Sequence, residues 1–364
     1  MRLASYSLHV YRLPYERPVR WSDIIEDAAQ FLLLRLVSDT GHTGVAEMTI
    51  KPTWTGVSLR SLAAALDDIF VPLLRALDLS EAAAVRGHME GIPENHAAKA
   101  LIDNAVWDLN AAALGAPPWQ SWGGSATVPL SFTVMRQAPD KMAAEAVLMV
   151  ERYGFETLKI KGGQGMAADV DAMRQLRAAL GSHTRLYVDA NSAYAPADAP
   201  GYVQAMTDAG AEVVEDPCAL APDAAFTQLQ QASATPVLVD FACWSPQGMR
   251  LFIAAGARAF SLKPGRFGLS DTLAMSKLAG AAGCRTLVGM FGESALGTLT
   301  ALQLASILPS GSLPAETTWY LAMTGQITHE PMRIECGAIR LPATAGNAAR
   351  IDWKHPARRQ FKET

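Results

Sequence analysis

The chain has 364 residues, half of them from the set AVILMFWYC and only 18% charged, with a formal net charge of -4 and a pI near 6.0. That length exceeds one small core and suits a large domain joined to a smaller one. No dense Lys/Arg run is present to mark a nucleic-acid or anionic-membrane surface, and no stretch of ~18 uninterrupted apolar residues marks a membrane span.

The N-terminal MRLASYSLHVYRLPYERP alternates like a strand and lacks the unbroken apolar centre of an export signal. LASYSLHVYRL, FLLLRLVSD and GHTGVAEMTI, separated by loop and turn residues, predict an antiparallel strand group. FLLLRLVSD and TGVAEMTI flank the tight turn Thr40-Gly41-His42. Ser58 or Ser61 is then a candidate cap for the helix LAAALDDIFVPLL. The strongest helical pattern is AAKALIDNAVWDLNAAALG. It places Leu101, Ala105, Asp108 or Leu109, and Ala112 on one face and stops at Gly115, with Pro117 and Pro118 beyond. Residues 1–122 therefore read as an α+β unit.

From about residue 125 the texture changes to short apolar strands alternating with helix-length amphipathic stretches, the pattern of parallel βα units. Candidate strands fall at 128–134, 156–161, 185–189, 211–215, 236–240, 259–263, 285–290 and 312–316. Eight such units close an α/β barrel, assigned to residues 123–325. Residues 326–364, with ITHEPMRIECGAIRL and AARIDW, are strand-like again and are expected to return to the N-terminal unit. Cys218, Cys243, Cys284 and Cys336 are widely spaced, without the CxxC or Cys/His clusters that zinc requires, and read as reduced thiols of a cytoplasmic protein.

The chemistry lies at the strand ends. Lys159 and Lys161, Asp189, Glu215, Asp240, Lys263, Glu293 and Glu316 each stand at or near the C-terminal end of a candidate strand, where such barrels place catalysis. The separations are regular: 28 residues from Lys161 to Asp189, then 26 to Glu215, 25 to Asp240 and 23 to Lys263. Taken singly, a strand-terminal acid is more often a turn or cap residue, and alternate lysines are common on exposed strands. Five consecutive strand ends in this order rarely arise by capping. Three carboxylates on adjacent strands form an all-oxygen site suited to a hard cation such as Mg²⁺. Lysines on both sides place a possible acid/base on each face of a chelated substrate. Removing a proton beside a carboxylate adds a second negative charge to it, which a divalent ion stabilises. Lys159, two positions from Lys161, points the same way and is positioned to lower its neighbour's pKa.

These residues resemble the enolase superfamily, in its muconate-lactonizing (muconate cycloisomerase) subgroup, over essentially the whole chain. Lys159-Ile-Lys161 matches the family's KxK, while VDAN, VVEDP and VLVD match its three metal-ligand strands. SLKPGRFG, with Lys263, matches the lysine of the sixth strand. The resemblance implies a (β/α)7-8 TIM-like barrel, one helix short of regular, beneath an α+β capping domain. It implies catalysis by Lys161 and Lys263, with Lys159 as electrostatic partner. Asp189, Glu215 and Asp240 become ligands of Mg²⁺ or Mn²⁺, with Asn191 hydrogen-bonding nearby. Substrate contacts fall to Glu293, Glu316 and a lid in IKPTWTGVS containing Pro52, Thr53 and Trp54, although Trp54 also reads as a core aromatic. A small carboxylate substrate and a homo-oligomer are implied as well.

Departures from the family pattern stand beside these matches. Phe241 follows Asp240 where the subgroup has Glu, Gly268-Leu269 replaces paired glycines, LPATAGNA replaces a glycine-rich turn, and the DxD of dipeptide epimerases is missing. The leading expectation is a muconate-type cycloisomerase. The alternatives are a racemase or epimerase of an N-substituted amino acid, a dehydratase of the o-succinylbenzoate-synthase or hydroxy-acid type, and a degenerate barrel kept for binding. Substrate choice is expected to lie in loops at 14–30 and 49–58, where Arg17, Arg20 and Trp21 are candidate contacts.

Overall fold

The computed structural model describes residues 1–21 and 24–363, with only the backbone of Arg20, Trp21, Ile24 and Glu363. Strands β1 (Leu3–Trp21), β2 (Ile24–Ser38) and β3 (Thr43–Thr49) form an antiparallel meander. Gly41, at φ 84°, supplies the left-handed residue of the β2–β3 turn. The loop expected from residue 14 is instead a continuation of the β1–β2 ladder, which shifts register between Pro14 and Val19 and pairs again as far as Trp21 with Ile24. Pro14 and Pro18 interrupt the alternation in sequence, whereas an irregularity in the ladder absorbs them without ending it.

The run FLLLRL is apolar throughout because both faces of β2 are covered. Leu32, Leu34 and Leu36 pack with Leu101, Ala105 and Leu109 of the overlying helix. Phe31 and Leu33 pack with Leu296, Trp319 and Met323 of the barrel side. Ser58 and Ser61 share one capping box, Ser58 as the cap and Ser61 returning the bond. Helix His96–Leu114 ends at Gly115 in the left-handed conformation. A Cβ at Gly44 would lie 2.3 Å from the Ala105 carbonyl oxygen, so glycine permits the close approach of β3 to this helix.

The same helix is buried on its polar positions too, because they anchor other segments. Asp103 accepts the Ser270 N–H at 2.7 Å and the Ser270 hydroxyl at 2.6 Å. Asn104 donates to the Pro264 carbonyl and accepts from Leu269 N–H, both at 2.9 Å. Asp108 accepts from the N–H groups of Val45 and Asn347, each at 2.9 Å. The helix thereby grips the chain just after Lys263.

The candidate strand at 128–134 divides in two. β4 (Thr127–Pro129) faces the barrel's end, and β5 (Ser131–Val134) enters the barrel. Then follow the parallel strands β6 (Thr157–Lys161), β7 (Arg185–Asp189), β8 (Ala211–Glu215), β9 (Val237–Val239), β10 (Ala259–Leu262) and β11 (Arg285–Val288). Residues 313–316 close the ring. Leu313 and Glu316 N–H groups donate to Thr286 and Val288 on one side, and Ala315 bonds with Pro129 and Ser131 on the other. A helix follows each of the seven sheet strands, but the closing segment at 313–316 is followed by the 3₁₀ turn Trp319–Ala322 in place of a helix. Tyr187, Val213, Leu238, Ala259, Leu287 and Leu313 fill the barrel interior.

The last segment divides between two destinations. β12 (Ile334–Glu335) and β13 (Ala338–Arg340) form a hairpin on β4 rather than on the N-terminal sheet, whereas β14 (Arg358–Glu363) pairs with β1. The cysteines are all free. Among the described residues no helix is long and apolar enough to cross a membrane.

Burial pushes the carboxyl of Asp103 up to about 7, against the opposing pull of its bonds to Ser270. A folded-state value above the unfolded one means that this group's contribution is complete below about pH 4 and is lost as pH rises toward 7. Asp103→Asn keeps an oxygen acceptor for the Ser270 N–H and can donate to its hydroxyl. Urea unfolding between pH 4 and 8 should therefore show a flatter decline of stability for Asp103→Asn than for the parent.

Candidate active site

In a parallel barrel the C-terminal ends of all strands share one rim. Lys161 pairs in register with Asp189, and Asp189 with Glu215, so the three stand level. Lys159 lies two positions deeper on β6 with its ammonium enclosed, only 1% exposed. Its Nζ stands 3.0 Å from Asp189, 2.8 Å from Glu215 and 2.8 Å from Glu316. Lys161 Nζ donates to Asp189 Oδ2 at 2.6 Å and to Asn191 Oδ1 at 3.3 Å. Lys263 Nζ donates to Asp240 Oδ2. Lys159, Lys161, Asp189, Glu215, Asp240, Lys263, Asn191 and Glu316 are thus brought together from six strand ends.

These partners set the charges. Burial by itself lowers the Lys159 pKa, but Asp189, Glu215 and Glu316 together raise it well above the usual value and so favour its ammonium form. Lys263 is raised against burial by Asp240. Asp189 is lowered, despite burial, by Lys159 and Lys161. Glu215 goes the other way, pushed up by burial and by Asp189 beside it.

The turn after β7 has Asn191 and Ser192 at φ 50° and 59°, which brings the Asn191 N–H and side-chain amide back onto Asp189 at 2.8 and 3.1 Å. Asp216, at φ 38°, accepts the N–H groups of Asp240 and Phe241 at 3.1 and 2.8 Å and so holds the next strand end.

Oε1 of Glu215 and Oδ1 of Asp240 are buried without a hydrogen-bond partner, while Glu215 Oε2 meets the Lys159 ammonium. With Asp189 they make an all-oxygen donor set at adjacent strand ends, which fits a hard divalent cation. Among the described residues no three carboxylates are closed up as a chelate; the Lys159 ammonium stands between Asp189 and Glu215 instead.

A cavity of about 420 Å³ opens above this cluster. Lys159, Lys161, Lys263, Asp240, Asn191 and Glu316 form part of its floor and walls. Thr53, Trp54 and Thr55 close it from the N-terminal unit, carried on the one-turn helix Pro52–Thr55, which ends at Gly56 in the left-handed region. Trp54 serves as wall and packing residue together, its ring 6.2 Å from that of Phe291 and 5.6 Å below the Lys51 ammonium.

Glu293 does not line the cavity. Gly292, at φ 84°, turns the chain so that Glu293 folds back and accepts the Phe291 N–H at 2.6 Å. Its other oxygen, buried and unpartnered, faces Gly265, and burial pushes its carboxyl up to about 7. Arg17 is likewise elsewhere, paired with Glu145 at 2.8 Å. The side chains of Arg20 and Trp21 lie outside the described residues.

Apart from Phe241, singled out in the sequence beside Asp240, several wall residues had no sequence signal of their own. Phe241, 51% exposed, meets Trp244 edge-on at 5.6 Å. The Arg266 guanidinium lies 3.5 Å from the Trp244 ring centroid and donates to the Phe241 carbonyl at 2.9 Å. Arg136, Met135 and Ser192 complete another side. Arg266 and Asp216 were within reach, since they sit inside the SLKPGRFG and VVEDP segments. Trp244, Met135 and Arg136 lie on loops, where no periodicity points inward.

Residues 7–123 match the family described as the mandelate racemase/muconate lactonizing enzyme N-terminal domain, and residues 141–355 match the enolase C-terminal domain-like family. The chloromuconate cycloisomerase of Cupriavidus necator is 26% identical over 360 residues, covering 97% of each chain. The L-Ala-D/L-Glu epimerase of Bacillus subtilis is 28% identical over 301 residues, 81% of this chain and 82% of its own. The crystal structure of a muconate lactonizing enzyme from Mycobacterium smegmatis, complexed with muconolactone, superposes with a TM-score of 0.89 at 26% identity, covering 95% of this chain and 96% of that one.

Removing one partner of a buried charge group leaves the others uncompensated, at about 3–5 kcal/mol. Lys159→Met should lose stability of that order in metal-free buffer. The carboxylates left behind then hold raised pKa values, so the loss is larger at pH 8 than at pH 5. Equal denaturation midpoints for variant and parent at pH 8 would contradict the central place given to Lys159.

Proposed function

The chain belongs to the mandelate racemase/muconate lactonizing enzyme family of the enolase superfamily and is an enzyme, and from that premise we propose that it is a muconate-type cycloisomerase. The observation that carries this reading is the placement of Lys161 and Lys263 on the wall of one cavity, on either side of Asp189, Glu215 and Asp240. Relatives that span 97% of both chains are chloromuconate cycloisomerases. The closing strand carries Glu316-Thr317-Thr318 rather than DxD, which disfavours dipeptide epimerisation.

Asp189, Glu215 and Asp240 would hold Mg²⁺ or Mn²⁺, whose charge stabilises the second negative charge of an enolate at a bound carboxylate. The remaining steps fall to the chain itself. In the lactonizing direction one substrate carboxylate oxygen bonds to a carbon of the conjugated double bond. The displaced electron pair moves to the carbon beside the other carboxylate, as the enolate. The Lys161 ammonium, 2.6 Å from Asp189 Oδ2 and held also by Asn191, delivers its proton to that carbon. Lys263, a cation stabilised by Asp240, faces the enolate electrostatically from the opposite wall. Thr53, Trp54 and Phe291 exclude water from above.

A racemase is the second reading, favoured by the same pair of lysines and by the epimerase relative. In it both Lys161 and Lys263 exchange the α-proton, from opposite faces.

Exchange of muconolactone in D₂O, followed by NMR, separates the two. Lys161→Ala should lower α-proton exchange by about 10²–10⁴-fold with the fold intact. Lys263→Ala should retain exchange on one face if the enzyme is a cycloisomerase and lose racemisation if it is a racemase. Full activity in Lys161→Ala would remove the assigned acid/base.

Calorimetric titration with Mg²⁺ should give a single binding event. Asp189→Asn, Glu215→Gln and Asp240→Asn should each weaken it by at least about tenfold. Unchanged affinity in all three would exclude this metal site.

A further inference from the structure

The cavity is lined by five cationic side chains, and their counter-ions differ. Lys159, Lys161 and Lys263 each lie against carboxylates. Arg266 is enclosed, flat on Trp244 and bonded to the carbonyls of Asp240 and Phe241. Arg136, like Arg266, has no carboxylate within ion-pair distance among the described residues, but Arg266 is buried against Trp244 whereas Arg136 is half-buried and lines the cavity.

Its guanidinium is nevertheless held in place. Nε donates to the Gly162 carbonyl at 2.5 Å and Nη2 to the Ala190 carbonyl at 3.3 Å, which ties it to the chain just beyond Lys161 and Asp189. Gly163, at φ 82°, makes the room: a Cβ there would lie 2.6 Å from Arg136 Nη2. Two neutral carbonyls orient the fork without neutralising it, and Nη1 has no hydrogen-bond partner among the described residues. A guanidinium carries five N–H donors in a planar fork suited to a carboxylate. An oriented, half-desolvated cation facing a cavity without its own counter-ion is a site for an anion.

We propose that Arg136 is the residue that binds the second carboxylate of the substrate. One carboxylate sits at the Asp189–Glu215–Asp240 cluster, and the other reaches past Asn191 and Ser192 on the Lys161 side to Arg136. This assignment rests on the metal-enolate reading for the first carboxylate. It adds the residue that measures the substrate's far end.

Calorimetry on the Mg²⁺-loaded protein tests it without requiring turnover. Succinate, glutarate and adipate are compared with butyrate, valerate and hexanoate of matching chain length. The parent should bind at least one diacid roughly tenfold more tightly than its monoacid, the scale of a charge-assisted hydrogen bond. Arg136→Gln should bring that pair to parity, and Arg136→Lys should recover part of the preference through charge alone. Should Arg136→Gln fail to fold by circular dichroism, the Lys variant carries the comparison, with a weakened diacid preference as the expected result. A parent that binds both series equally, or variants that keep the full preference, would overturn the proposal. Loss of the lactonizing reading has a different signature: muconolactone would show no α-proton exchange while the diacid preference persisted.

Discussion

The structure is organised around a buried knot of charge at the barrel rim. Asp189, Glu215, Asp240 and Glu316 face the ammonium groups of Lys159, Lys161 and Lys263 in a place almost closed to water. Bringing such groups out of water is costly unless each finds a partner, and their mutual attraction in a low-dielectric interior repays that cost only in a tight arrangement. Lys159 is the centre of that arrangement. Its ammonium touches carboxylates from three strand ends, which explains why a lysine is tolerated at a position as enclosed as any aliphatic residue of the core.

The N-terminal unit can be understood as the frame that keeps this knot in register. Its sheet is covered by helices on one face and by the barrel on the other, so it cannot separate without exposing two apolar layers. Polar anchors then fix particular loops. Asp103 and Asn104 hold the chain after Lys263. Glu47, from β3, accepts the Ser294 N–H at 2.8 Å and its hydroxyl at 2.5 Å, at the start of the helix Ala295–Ala305. The loops after β10 and β11 are thereby positioned from outside the barrel, and Lys263 and Phe291 with them.

The cavity above the charges is chemically two-sided. Toward Lys263 it presents Phe241, Trp244 and the stacked Arg266, and from above it presents Trp54 and Phe291. Toward Lys161 it presents Asn191, Ser192 and Arg136. The exchange of the subgroup's Glu for Phe241 therefore does more than delete a charge near Lys263. It completes an aromatic surface on one side, opposite Asn191, Ser192 and Arg136.

Local sequence was sufficient for the barrel and its charged rim. Short apolar strands that end in Lys, Asp, Glu, Asp and Lys at intervals of one βα unit leave little freedom in where those ends meet, because parallel strands in a closed sheet share a direction. The capping box at Ser58 and the helix stop at Gly115 were legible for the same reason, since their hydrogen bonds close within a few residues. Tertiary structure alone decided what depended on distant partners. It split the first candidate strand so that residues 127–129 could pair with a hairpin from residues 334–340, and it carried the β1–β2 ladder through two prolines. It turned Glu293 away from the cavity at Gly292 and brought Arg136, Trp244 and Arg266 into its wall. Loop side chains carry no period, and their direction is set by the carbonyls and rings that happen to surround them, which only the folded chain supplies.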